Sequence, residues 1–370
     1  MGVDIRRRSV LLASIGAAAQ IVTPAIARAA ELQTVRIGLH PVLDYQPWAI
    51  AKELGLDKEQ GLSFEIISVA SQANGAAALR QGAIDIASGS QVGTFAYYKA
   101  IPDMRTWILL NRFKGFILVG RKGGTETYAS LAPKMGQEAA RKKILQDMKG
   151  KSFAINPVSY LPLVKACLGQ VGMSVDDVKL FEFPDDAKAA LAFEKGVGDF
   201  YMGSLPQEIK LLSQPDLYIN VGGAEILGPA GLWYSAMMGM EPWLKKNKET
   251  VLKLHAIWYR TSRYLNEKQA QIFPLWASNI NQRAAASFTP DDIVKMSGFL
   301  EYPSIEQART QAFNDKSDVS WRKAMSYYGP QNTDRLPADF NTGKYQLEQE
   351  YFEEFVARKD LVSWVNAPLK

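Results

Sequence analysis

Gly82-Ala-Ile-Asp85-Ile-Ala-Ser-Gly89-Ser90 and Gly196-Val-Gly-Asp199-Phe-Tyr-Met-Gly203-Ser204 are two copies of one phrase, Gly-x-x-Asp-x-x-x-Gly-Ser. Each follows a stretch with helical apolar spacing, Ala76 to Leu79 and Ala187 to Phe193. A Gly that stops a helix, a short apolar strand and a Gly-Ser that opens the next helix together make one β–α corner. Such corners leave backbone N–H groups free at a helix N-terminus, where a small polar or anionic group docks. Two of them predict two similar lobes that grip one ligand from opposite sides. Asp85 and Asp199 are expected to be structural, orienting each corner through hydrogen bonds to backbone N–H groups.

Working outward from the first copy, strands and helices alternate. Val35 to Leu39 is a β-branched run, and Pro47 suits the first turn of a helix ending at Gly55. Phe64 to Ser68 is the next strand, Asn74 caps the next helix, and Ile84 to Ala87 is a third strand. Trp107 to Leu110 and Phe116 to Val119 follow. The polar, Gly- and Lys-rich region 120–151 predicts a crossover with at least one exposed helix. A second series has strands at Ser152 to Ile155, Val178 to Phe183, Asp199 to Met202 and Tyr218 to Val221. Gly222-Gly223 and Gly228-Pro229 mark a second crossover, and Leu232 to Met238 reads as a strand returning to the first lobe. From Pro242 the pattern is helical to the end and rich in aromatics, which at helical spacing read as packing. Two lobes joined by two crossings make a hinge.

The chain has 370 residues, 47% of them hydrophobic, enough for two substantial cores. Its formal charge is +5. Arg6, Arg7, Arg8 and Arg28, against Asp4, account for much of that, and no dense basic stripe follows, so a nucleic-acid partner is not expected. Residues 1–29 read as an export signal: the basic cluster Arg6-Arg7-Arg8, a weakly apolar stretch to Ile26, and cleavage after Ala27-Arg28-Ala29. The paired arginines resemble a twin-arginine signal, which places the mature protein in a bacterial periplasm. The single cysteine, Cys167, sits in an apolar run and reads as core, so no internal disulfide is expected.

The exported chain resembles the ABC-transporter periplasmic substrate-binding proteins of the nitrate, sulfonate, taurine and thiamine-precursor group. The resemblance rests on Val35-Arg-Ile-Gly-Leu39, Pro47-Trp-Ala-Ile-Ala-Lys-Glu-Leu-Gly55 with Gly61-Leu62, and Ala76 to Ser90. In the second lobe it rests on Phe153-Ala-Ile-Asn156-Pro-Val-Ser159 and on Gly196 to Pro206. It implies an α/β, two-lobed type II periplasmic binding fold with two hinge crossovers, here with a helical C-terminal extension. Residues 30–121 and 225–370 are expected to form lobe 1 and residues 122–224 lobe 2. In such folds the ligand lies outside the carboxyl ends of the strands. The contacts implied by position are His40, Asp44, Tyr45 and Trp48 in the first loop, then Ser90 and Gln91 after the first repeat. Asn111 and Arg112 end the fourth strand. Asn156, Ser159 and Tyr160 open a helix, Tyr201 follows the second repeat, and Trp233 and Tyr234 lie on the returning strand. Tyr45 and Trp48 are three residues apart, so one faces the cleft while the other packs. Ser204 stands where relatives often place an aromatic, which shifts the expected contact of the second corner to Tyr201.

The function implied is capture of a small solute for an ABC permease by a monomer, without catalysis, metal or cofactor. The expected solute is a small organic anion (a sulfonate, nitrate-like ion or aromatic acid) countered by Arg112, a guanidinium suited to bidentate binding of an oxyanion. A neutral or cationic heteroaromatic such as a pyrimidine is the alternative, favoured by Asp44 and the ring density. An enzyme related to thiamine-pyrimidine synthesis is a reading from another class. It would need iron ligands, and His40, His255 and Cys167 lack a metal-like spacing. A sensory partner of a membrane receptor would use the same fold.

Overall fold

Four strands open the computed structural model, which describes residues 32–284 and 286–370; the expected export signal lies outside the described residues. These are β1 (Gln33–Leu39), β2 (Leu62–Ser68), β3 (Ile86–Ser90) and β4 (Met104–Phe113). A second group comprises β5 (Leu118–Arg121), β6 (Ser152–Ile155), β7 (Lys179–Glu182), β8 (Phe200–Tyr201) and β9 (Tyr218–Gly222). The chain then returns through β10 (Trp233–Met240), and a short β11 (Leu300–Glu301) follows.

The strands form two sheets, ordered β11-β4-β10-β3-β1-β2 and β7-β6-β8-β5-β9. In each, three strands are parallel and the next two are antiparallel to their neighbours. Thus β2-β1-β3-β10-β4 repeats the order and direction of β7-β6-β8-β5-β9. In both sheets the first antiparallel strand enters from the other half of the molecule: β10 arrives from the second sheet and β5 from the first. The chain therefore crosses twice, at residues 114–117 and 223–232. The first crossing is earlier than the boundary expected at 121, because β5 is recruited into the second sheet.

The duplicated phrase produces the same local structure twice. Gly82 (φ 69°) and Gly196 (φ 97°) are left-handed, which stops the helices Gln72–Arg80 and Asp186–Glu194. The residue after each glycine donates its N–H back to the helix, Ala83 to Ala78 and Val197 to Ala192, both at 3.0 Å. The aspartate then locks the strand to its neighbour. Asp85 donates its N–H to the Arg36 carbonyl (2.9 Å) while its Oδ2 accepts the Arg36 N–H (2.8 Å). Asp199 does the same with Ser152, at 2.9 and 2.8 Å. An arginine faces the helix end in each case: Arg36 donates to the Gly82 carbonyl and Arg121 to that of Phe193. The structural role expected for the two aspartates is what the geometry shows.

Other local expectations change. Ser71, not Asn74, caps the helix Gln72–Arg80, with its hydroxyl accepting the Asn74 N–H. The third strand runs through Ser90 rather than ending at Ala87, and only a short 3₁₀ turn, Gly93–Ala96, follows. The tail is not wholly helical, since β11 extends the first sheet beside β4. Its rings do pack: Trp258 lies 5.2 Å from Trp48 and 5.9 Å from Tyr302, and Tyr259 stacks on Phe355. The tail also reaches the half of the molecule that holds the second sheet. Tyr327 donates its hydroxyl to the Ala166 carbonyl at 2.8 Å, and Tyr328 donates to that of Ala230. Cys167 is buried, which pushes its thiol up to about 12 and leaves it inert.

Candidate functional site

A cavity of about 60 Å³ opens where the two sheets face each other beside both crossings. From the first half of the molecule it is lined by His40, Val42, Asp44, Tyr45, Gln72 and Ser90. Phe113, Phe116 and Trp233 line it at the crossings, with Ser235 next along β10. Ser159, Tyr160, Ser204 and Leu205 come from the first turns of two helices, Pro157–Gly169 and Leu205–Leu212. A water-sized group needs ~10–15 Å³ of such space, so there is room for about four to six.

Strand alternation decides which predicted residues arrive there. Side chains on a strand alternate between faces. In register, Ser235 pairs with Ser90 and Trp233 with Phe113, and all four face the cavity. Tyr234 pairs with Arg112, one residue along each strand, so both lie on the opposite face. There Arg112 is ion-paired with Glu301, and Tyr234 donates its hydroxyl to the Val319 carbonyl. Gln91, the next residue after Ser90, donates to Glu348 at 3.0 Å and does not line the cavity. The counter-ion expected at Arg112 is therefore absent from the cavity, because its guanidinium closes the edge between β4 and β11.

Four further predicted residues support the wall from behind. Trp48 is fully buried against Phe64 and Trp258, while Tyr45 faces the cavity and donates to the Gly89 carbonyl at 2.6 Å. Asn111 donates to Asp44 Oδ1 at 3.2 Å. Asn156 caps its helix, accepting the Val158 N–H. Tyr201 is fully buried with its hydroxyl toward the Asp186 carbonyl, so the second corner reaches the cavity through Ser204, as the first does through Ser90. The two corners contribute alike, contrary to the shift to Tyr201 expected from sequence. Of the residues not anticipated, Ser204 was marked by the repeat itself and Ser235 by its two-residue spacing from Trp233. Gln72, Phe113, Phe116, Val42 and Leu205 carry no comparable signal.

The rings form an edge-to-face cluster at the crossings. Phe116 meets Phe113 at 4.7 Å, Trp233 at 5.1 Å and Tyr160 at 6.1 Å, with interplanar angles of 83° to 88°. Such pairs contribute ~0.5–1.5 kcal/mol each beyond the area they bury. Three rings from the two crossings and one from the second lobe thus hold the junction together.

The polar groups are acidic or neutral. Asp44 Oδ1 accepts the Ser235 hydroxyl as well as Asn111, and burial raises its carboxyl above the ordinary range against those two bonds. His40 is buried, which lowers its imidazole to about 4 and keeps it neutral near pH 7. Neither of its ring nitrogens hydrogen-bonds to a described residue. Behind the second corner, Asp186 accepts the Tyr160 hydroxyl at 3.3 Å while its Oδ1 has no partner among the described residues; burial raises it to about 6. Glu208, fully buried and also raised by burial, accepts the N–H groups of Ile117 and Gly203 at 3.3 Å. It ties the first crossing to the second corner.

The fold has many relatives of known structure. The nitrate-binding protein NrtA from Synechocystis PCC 6803 superposes with a TM-score of 0.65 at 15% identity, covering 91% of this chain and 92% of that one. The alkanesulfonate-binding protein SsuA from Xanthomonas axonopodis pv. citri, bound to MOPS, gives 0.61 at 15% identity, covering 86% and 99%. A Candida albicans gene product with the generic periplasmic binding protein fold gives 0.60 at 13% identity, covering 86% and 97%. At these identities the likeness establishes the two-lobed periplasmic binding fold. No curated protein matches the sequence significantly. The sequence profile of the NMT1-like family matches residues 28–272, and the chain belongs to that family.

Proposed function

We propose that this protein is the periplasmic solute-binding component of an ABC importer, and that the cavity between its sheets is where the solute is held. One observation carries the reading: Ser90 and Ser204, equivalent ends of the duplicated corner, line one cavity from opposite halves of the chain. A solute touching both gains contacts only when the halves are together, so its differential affinity shifts the population toward closure. The lobes divide at residues 114–117 and 223–232, where Phe113, Phe116 and Trp233 form the hinge wall. The nitrate- and sulfonate-binding proteins that share the fold support a binding rather than a catalytic role. Export through the twin-arginine signal delivers the monomer to its permease.

The test is thermal-shift and calorimetric titration of the purified protein with sulfonates, aromatic acids, pyrimidines and amines. A ligand at 100 times its Kd stabilises the folded form by about 2.7 kcal/mol. One class should produce that shift, and Ser204→Trp, which fills the cavity, should abolish it. Absence of any bound solute, co-purified ones included, would overturn the proposal.

A further inference from the structure

We propose that the solute is a small organic cation, an ammonium whose charge sits beside Asp44 and whose body lies against the aromatic wall. This rests on the cavity being the solute site. Among the described residues no Lys or Arg lines the cavity, whereas Asp44 does. Asp44 is 8% exposed, and both hydrogen bonds it accepts from side chains fall on Oδ1. No side-chain donor among the described residues reaches Oδ2. A carboxylate whose second oxygen takes no side-chain donor, on the wall of a cavity, attracts a cation that donates to it.

His40 is an independent sign of the same chemistry. It is 9% exposed, lines the cavity, and neither ring nitrogen hydrogen-bonds to a described residue. In its neutral form one nitrogen accepts, so the cavity offers an ammonium a second acceptor besides Asp44. The second lobe adds negative charge behind the wall, where Asp186 has an unpartnered oxygen. Tyr45, Phe113, Phe116, Tyr160 and Trp233 also line the cavity, and aromatic faces attract cations.

The helix N-termini at the cavity oppose this charge only in part. Pro157 and Pro206 stand in the first turns of the two second-lobe helices and have no N–H to offer an anion. Asn156 Oδ1 accepts the Val158 N–H, and the Ser204 carbonyl accepts the N–H groups of Gln207 and Glu208. The donors that would cradle an oxyanion are thus largely removed or already engaged, leaving the dipoles without most of their hydrogen bonds.

The experiment compares three pools of matched size on the purified protein: alkylammonium chlorides, the corresponding alcohols, and the corresponding sulfonates, at constant ionic strength. The expected result is a thermal shift with the ammonium pool only. Binding of its best member should weaken by roughly 10- to 100-fold in Asp44→Asn, the range for a lost charged hydrogen bond. Asn keeps an acceptor for Ser235 and Asn111, and Asp44→Ser provides a second neutral side chain if Asn fails to fold. A shift with sulfonates or alcohols but not ammonium ions, or tighter binding after Asp44→Asn, overturns the cation assignment and leaves solute binding intact. No shift with any pool and no co-purified solute overturns both.

Discussion

Replacing Asp85 by Ala should cost stability without touching the cavity. Asp85 Oδ2 accepts the Arg36 N–H at 2.8 Å, and its two oxygens accept the Arg36 guanidinium at 3.2 and 2.7 Å. The backbone bond to a carboxylate contributes about 1.5–3 kcal/mol. The Arg36 side chain is 37% exposed, which reduces the ion pair to about 0.5 kcal/mol. Arg36 keeps its bonds to the Gly82 and Ala83 carbonyls, so the helix end remains held. The expected loss is therefore about 2–3.5 kcal/mol. Asp199→Ala, which removes acceptors from the N–H and hydroxyl of Ser152, should cost about the same. Urea unfolding by circular dichroism gives the midpoint shift, and calorimetry gives affinity for the bound solute. Both variants should bind the solute as wild type does, because neither aspartate lines the cavity. A stability change below about 0.5 kcal/mol, the ordinary range for an unremarkable surface site, would refute the reasoning. So would a large loss of affinity with unchanged stability, which would place these carboxylates in the site.

Two other perturbations follow from the tail. Burial raises Glu348 to about 7, against an ordinary value of 4.5. Below about pH 4.5 it is protonated in both states, and as pH rises toward 7 the unfolded chain ionises first. Stability is therefore lost across that window, by up to about 3 kcal/mol from this group. Glu348→Gln should flatten that part of the stability–pH curve and raise the melting temperature at pH 8; an unchanged curve contradicts it. Tyr327 donates to the Ala166 carbonyl across the two halves of the molecule, so under the proposed closure Tyr327→Phe removes about 1 kcal/mol of contact that holds the halves together. Solute affinity should fall up to about fivefold, and a variant that binds as wild type would show that this bond persists when the lobes part.

Much of the fold is legible in the sequence because it is made from local rules. Gly82 and Gly196 stop helices through a left-handed backbone, and the aspartate three residues later locks each new strand. The returning strand at residue 233 is visible as an apolar run and does enter the first sheet. Strand β11 is two residues long and forms only because β4 offers it an edge, so no periodicity announces it. The site is harder to read. Position at the end of a strand selects a neighbourhood, but alternation selects the face: Phe113 and Trp233 are in, Arg112 and Tyr234 are out. That rule was available from sequence once the register was known, and the register is a tertiary property. Gln91 and Asn111 illustrate a second limit. Their partners, Glu348 and Asp44, lie 257 and 67 residues away, so no local pattern reveals that those side chains are engaged.

The central claim, that the cavity between the two corners holds a solute, is tested most directly by native mass spectrometry of the protein purified from the cells that make it. Spectra are taken for the wild type and for Ser204→Trp. The wild type should carry one small molecule per chain, released on denaturation and missing from the variant. Equal occupancy in both proteins, or a wild type that neither carries nor takes up any small solute, would contradict the account.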